Sequence, residues 1–303
     1  MDTKDLKSLS AVRRALRGTS PPKTITQEAY DFDRGHLARL VRLERDQPGQ
    51  PDDLWSYTQD LRYSAIQPEL FRYLLPVCLR AWHDDLRGYS AHGGFVEHFY
   101  PVLADRHVFD SLLTPEQSAA VARFMRESIL AEIDDQRGLA YVGSGSRPYR
   151  WIRALTSYGV LVPDVQSLWQ PWWSLGTIGR AVAAVQYVSA LIYRDDENPI
   201  FTPWTRDQGG GPPVLWEFEG LLYSHRWLSP NIAFLRQTLS PPSAIDVLTR
   251  AVEQLRDQPE HEPALQILAD VPNPTAILAS RCEQLPNLLA TVQEPGNLLH
   301  WSL

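Results

Sequence analysis

Residues 113–134 read LTPEQSAAVARFMRESILAEID and carry the strongest structural signal in the chain. Thr114 can accept hydrogen bonds from the free amide groups that begin a helix, Pro115 suits the first helical position, and Gln117 completes a capping box. Behind this start, four apolar residues recur at the four-residue spacing of one helix face: Val121, Met125, Ile129 and Ile133. The stretch predicts a long helix with one buried face.

Similar helical periodicity covers most of the chain, and strand-like alternation is nearly absent. Upstream helices are predicted near 6–16, 33–45 and 51–61, and a longer one begins at Gln67-Pro68-Glu69 and contains Pro76, which should kink or split it. Downstream, helices are predicted at 149–158, 165–173, 175–193, 214–223, 232–239, 244–256, 264–269 and 275–285. The sequence predicts an all-α fold, an irregular multi-helix bundle of two helical halves packed together.

Breaks in the pattern indicate how the 303 residues are divided. Residues 1–25 form a short basic helix and the breaker GTSPP, which is typical of a loosely attached N-terminal arm. Residues 26–136 form a helical domain, and the Gly/Ser-rich stretch 137–148 is predicted to be a flexible linker. Residues 149–303 form a second helical domain.

Composition restricts the partners and the compartment. The net charge is −7 and the basic residues are scattered, so a nucleic-acid partner is not expected. The most apolar run, 175–193, carries Arg180 and Gln186, which indicates a buried core helix rather than a membrane span. Cys78 and Cys282 are expected to be buried free thiols. Residues 1–18 lack the apolar core of a signal peptide, so a cytoplasmic protein is predicted.

Three segments carry a resemblance to a known family: 71–81 (FRYLLPVCLRA), 95–103 (FVEHFYPVL) and 111–125 (SLLTPEQSAAVARFM). Together they resemble a family of small bacterial helical proteins that has no established activity. The resemblance covers residues 50–135, under a third of the chain. Its residues are helix caps and core positions, so it implies a helical fold and supplies no catalytic residues.

Histidine and acidic residues provide the starting point for a catalytic hypothesis. The doublet His83-Asp84 is similar to the metal-binding pair of helical phosphohydrolases, but that chemistry needs an upstream His and a distal Asp. The upstream candidate, His36, stands in a sequence context that does not match. A solvated helix end before Gly88 is the simpler interpretation. The alternative function is a metal-dependent hydrolase whose site is assembled from dispersed residues, namely His83, Asp84, His98 and His107.

Tryptophan-rich segments provide the starting point for a recognition hypothesis. Trp169, Trp172 and Trp173 bring three indoles into five residues. Core packing is the first explanation for them. However, positions 172 and 173 diverge by about 100° on a helix, so one helix face cannot bury all three. At least one is therefore expected to face a neighbouring domain, a partner or solvent.

The glycine-rich loop 202–216 is longer than most connections within a domain, and such loops are often functional or disordered. It contains residue types that are enriched at binding hot spots, and its candidate contacts are Trp204, Arg206, Asp207 and Trp216. A surface loop with its indoles turned inward is the competing explanation.

These patterns favour a non-catalytic protein–protein interaction module of a bacterium. An acidic helical protein of this kind binds and masks another protein, as immunity or assembly proteins do, and its charge would steer a basic partner toward it. No cofactor, nucleic acid or membrane is predicted.

Overall fold

The structure, a computed structural model, describes residues 7–29, 35–43, 49–88, 95–105, 107–140, 147–193, 200, 225–272 and 275–291, without the side chains of 97 and 98. These residues form fourteen helices and no strand, which confirms the all-α prediction. In chain order the helices are α1 (Lys7–Ala15), α2 (Gly35–Val41), α3 (Pro51–Tyr63), α4 (Pro68–Leu86), α5 (Phe95–Asp105), α6 (Val108–Ser111), α7 (Pro115–Asp134), α8 (Arg147–Leu161), α9 (Gln166–Trp173), α10 (Ile178–Ile192), α11 (Ser229–Thr238), α12 (Pro241–Gln254), α13 (His261–Asp270) and α14 (Thr275–Leu289).

The chain divides into two compact units, residues 1–128 and 129–303. The division falls inside α7, upstream of the predicted linker 137–148. Within that linker, Gly138 is held by hydrogen bonds from both sides of its backbone. The Gly138 amide donates to Oε1 of Glu260 (2.6 Å), and its carbonyl accepts from Nε2 of Gln186 (3.0 Å). Residues 141–146 and the predicted helix 214–223 lie outside the described residues.

In the first unit, α4 packs against α1, α3 and α5, and α3 also contacts α2 and α5. The N-terminal helix is not loosely attached as expected, because Leu9, Val12 and Leu16 are buried and α1 contacts α4. Pro76 does not split α4, which is continuous from Pro68 to Leu86. Buried side chains on both sides of Pro76, including Leu75 and Cys78, hold the helix in one piece.

The start of α7 has the predicted geometry. The Gln117 amide donates to Oγ1 of Thr114 (3.3 Å), and the Thr114 amide donates to Oε1 of Gln117 (3.0 Å), which is a reciprocal capping box. The predicted apolar face is buried throughout: Val121, Met125, Ile129 and Ile133.

In the second unit, α10 contacts α9, α12 and α14. Its residues are buried nearly all round, as predicted for a central helix. Gly179, the second residue of α10, lies directly against the end of α7, where an added Cβ would lie 2.1 Å from the Asp134 carbonyl oxygen. No single helix of the described residues is long and apolar enough to cross a membrane. The α9–α10 pair passes that test together but is bent by 108°.

Candidate functional site

The three indoles of α9 lie in the core of the second unit. Trp169, Trp172 and Trp173 are 1%, 0% and 9% exposed, so the expectation that one faces outward is wrong. Because α9 is short and other helices surround it on several sides, residues on different faces of α9 are all buried. The prediction assumed that only one face of the helix would be buried. Rings from α8, α10 and α11 pack within 6.4 Å of these indoles: Trp151, Tyr187 and Phe234. Their N–H groups have no hydrogen-bond partner among the described residues, so ring packing holds them.

The other predicted recognition residues, Trp204, Arg206, Asp207 and Trp216, lie outside the described residues. Their role in binding stays a prediction.

The surroundings of His83 and Asp84 do not favour a bound cation. The His83 ring lies 6.0 Å from the Phe124 ring, and burial, together with Arg87 and Arg80, lowers the pKa of His83 to about 4. The carboxylate of Asp84 forms an ion pair with Nε of Arg80 (3.0 Å). Burial raises the pKa of Asp84, although the positive charge of Arg80 acts in the opposite direction. Two arginines beside the doublet repel a divalent metal.

The remaining hydrolase candidates add no ligand to this doublet. His107 is exposed and has a left-handed backbone (φ 48°) where it precedes α6. The side chain of His98 lies outside the described residues. Within the described part of the chain, no group of three or more His, Cys, Asp and Glu side chains is close enough to hold a metal ion.

A buried polar pair, which the sequence did not indicate, joins α2 to α3. Nε2 of His36 lies 2.6 Å from a carboxylate oxygen of Asp60, and both side chains are buried. Burial, with smaller effects from Cys78 and Asp60, raises the pKa of the neighbouring Tyr57 hydroxyl. These groups are enclosed in the core, so we interpret the pair as a link between helices.

A second buried network joins the end of α7 to the start of α8. Oε1 of Glu132 accepts from Nε2 of Gln136 (2.8 Å) and from Nε of Arg147 (2.9 Å). Glu132 and Gln136 are fully buried. Because a buried carboxylate is costly without such partners, this network fixes the path of the chain on both sides of 137–146.

The exposed side of α3 is the candidate site that the structure adds. Large hydrophobic side chains are exposed at three positions in the described residues, and two of them lie on α3: Trp55 (38%) and Tyr63 (54%). The Arg62 guanidinium lies 5.7 Å from the centre of the Tyr63 ring, and Asp52 and Arg62 are also exposed. We call the set Asp52, Trp55, Arg62 and Tyr63 the α3 face.

The sequence analysis did not predict the α3 face, because Trp55 stands alone in the sequence rather than in a cluster of tryptophans. The signal is nevertheless present in the sequence. Leu54, Tyr57 and Leu61 recur at helical spacing and are buried. Trp55 follows Leu54 and is rotated by about 100° from it, so it points away from the buried side.

The comparisons with known proteins supply no family and no relative. No family model matches the sequence, and the searches of curated proteins and of solved structures also give no match. The resemblance of residues 50–135 to a bacterial helical family therefore receives no support from these comparisons and stays a prediction.

Proposed function

We propose that this protein is a non-catalytic interaction protein that binds another protein through the α3 face. The observation that carries the proposal is the exposure of Trp55 and Tyr63 on one helix beside Arg62, while the other tryptophans of α8 and α9 are buried. Tryptophan, tyrosine and arginine are the residue types that most often dominate binding energy at interfaces. Each α3-face side chain also interacts within its own chain, which limits the entropy that binding would cost.

The charge of the whole chain supports the masking role. A net charge of −7 produces a negative potential that would attract a basic partner and accelerate its association. We also infer that the protein is bacterial and cytoplasmic and belongs to the immunity or assembly type. The buried free thiols of Cys78 and Cys282 fit a reducing compartment. The proposed function requires no cofactor and no nucleic acid.

Affinity purification from the native host tests the proposal. Tagged wild-type protein should retain a second protein in stoichiometric amount. The Trp55→Ala/Tyr63→Ala variant should lose it, because truncation of two interface aromatics commonly weakens binding at least about tenfold. Leu265→Ala is the matched control, since it removes the third large hydrophobic side chain that is exposed among the described residues, on α13.

The controls separate loss of binding from loss of folding. The aromatic residues of the α3 face are exposed, so both variants should keep the far-ultraviolet circular dichroism and melting temperature of the wild type. Retention of the partner by Trp55→Ala/Tyr63→Ala, or recovery of no partner by the wild type, would contradict the proposal.

A further inference from the structure

Three exposed cations form a stripe on α1 in the first unit. Lys7 and Arg14 are seven residues apart on this helix, so they lie within about 20° of each other around its axis and about 10 Å apart along it. Arg17 lies in the turn that follows, where its amide donates to the Arg14 carbonyl (3.0 Å), a bond that places residue 17 close to the line through residue 14. All three side chains are exposed. We call the set Lys7, Arg14 and Arg17 the α1 stripe.

The α1 stripe has no ionic partner among the residues that the structure describes. None of its three side chains forms an ion pair or a hydrogen bond there. By contrast, Arg39 and Arg80 of the same unit each form an ion pair with a carboxylate of this chain. The sequence from 7 to 27 holds five cations and no acid, although the whole chain carries −7. The stripe is thus a concentrated exception to the charge of the molecule.

We propose that the α1 stripe is a docking surface for an acidic segment of another protein. Three carboxylates at the same spacing on a partner helix would each meet one cation, and an antiparallel helix would also align its dipole favourably. Because the stripe lies on α1 and the α3 face lies on α3, the proposal does not rest on the proposed function. It adds a second surface with the opposite charge preference, as an assembly protein that joins two partners requires.

Two other anionic partners fit the stripe less well. A lipid surface is bound most firmly when a basic helix also inserts apolar side chains, but Leu9, Val12 and Leu16 are buried within the fold. A nucleic acid extends its negative charge far beyond three cations, so it would also meet the −7 of the whole chain. A short acidic segment touches the stripe alone, and charges more than about 8 Å away are largely screened at physiological salt. The observations therefore favour a protein partner.

Titration of the isotope-labelled full chain with a designed peptide, followed by amide NMR spectra, tests the proposal. The probe is an alanine-rich helical peptide of about 15 residues with three glutamates at the reversed spacing of the α1 stripe. Amide signals of residues 7–17 should shift as the peptide is added. Because exposed ion pairs are individually weak, we expect a dissociation constant of about 1 mM for the isolated peptide. A peptide of the same composition, with its glutamates distributed around the helix, should bind at least about threefold more weakly.

Charge removal identifies the cations that bind the peptide. Lys7→Gln/Arg14→Gln/Arg17→Gln should raise the dissociation constant by about fivefold or more, because it removes all three ion pairs. The matched control removes three exposed arginines elsewhere and therefore changes the net charge equally: Arg123→Gln/Arg236→Gln/Arg256→Gln. It should bind the peptide like the wild type. Amide signals far from the substitutions should stay in place in both variants, since the substituted side chains are exposed.

Contrary results are equally specific. The proposal is overturned if residues 7–17 show no shifts with the peptide at up to about 5 mM, or if the two peptides bind equally well. Equal loss of affinity in the matched control and in the α1 variant overturns it as well. Tighter binding of residues 7–17 to single-stranded DNA, or to vesicles that contain phosphatidylserine, would assign the stripe to phosphate groups and overturn the protein partner.

Failure of this proposal is distinguishable from failure of the proposed function. Trp55→Ala/Tyr63→Ala changes the α3 face alone, so it should keep the wild-type affinity for the peptide even when it loses the partner in affinity purification. A protein that binds no peptide but captures a partner through Trp55 would end the docking role of α1 and leave the proposed function standing. A protein that binds the peptide through the α1 stripe but captures no partner through the α3 face would do the reverse.

Discussion

The imidazole of His83 shows how surroundings determine what a residue can do. It packs against the Phe124 ring on one side and has Arg80 and Arg87 near it on its own helix. Loss of hydration disfavours the charged ring, and the two guanidinium groups add repulsion. The pKa of His83 therefore falls to about 4, and the ring is neutral near pH 7.

This lowered pKa predicts a pH dependence of stability. In the unfolded chain the pKa of His83 returns to 6.5, so between about pH 6.5 and 4 the unfolded state binds a proton that the folded state does not. The free energy of unfolding should therefore fall as the pH drops through this window. Urea unfolding of the wild type and of His83→Gln at several pH values measures the difference. Equal pH slopes for the two proteins would contradict the prediction.

At the scale of elements, the junction between α7 and α10 requires glycine, which has no side chain, at position 179. Thr177 and Arg180 both donate to the Asp134 carboxylate, with Oγ1 and Nε at 2.8 and 2.7 Å from the same oxygen. These bonds draw the start of α10 onto the end of α7. A Cβ on Gly179 would lie 2.1 Å from the carbonyl oxygen of Asp134 and 2.4 Å from its carbonyl carbon.

Gly179→Ala should therefore destabilise the protein by about 3 kcal/mol, because the added methyl group meets backbone that cannot rotate away. Gly176→Ala is the matched control. An added Cβ there comes no closer than 3.6 Å to the flexible end of Arg180, so stability should change by less than about 0.5 kcal/mol. Chemical unfolding measures the stability of both variants. Equal stabilities of Gly179→Ala and Gly176→Ala would show that α10 can move away from α7 at little cost.

Helices with a long periodic pattern could be predicted from sequence, as α7 and α10 show. Contacts between distant segments could not. The burial of Trp169 depends on Phe234, which lies far along the chain. Likewise, the context of His36 gave no sign that the fold would place it against Asp60. The α3 face was predictable, because Trp55 falls out of phase with the buried residues of its helix.

At the scale of the whole molecule, charge and aromatic surface act over different ranges. The net charge of −7 acts across solvent to about a Debye length, roughly 8 Å at physiological salt, and so influences how fast two molecules meet. The rings of Trp55 and Tyr63 act only on contact and so influence how long a complex lasts. The salt dependence of association therefore reports the charge of the partner.

Association with a basic partner should slow as salt is added. Attraction between unlike net charges is screened by salt, so the association rate constant with a basic partner should fall as ionic strength rises. A partner with a negative net charge would be repelled by the −7 of this chain before contact, so its association rate constant should rise with salt. Stopped-flow measurement of complex formation at several salt concentrations distinguishes the two. An association rate constant that rises with salt would contradict a basic partner.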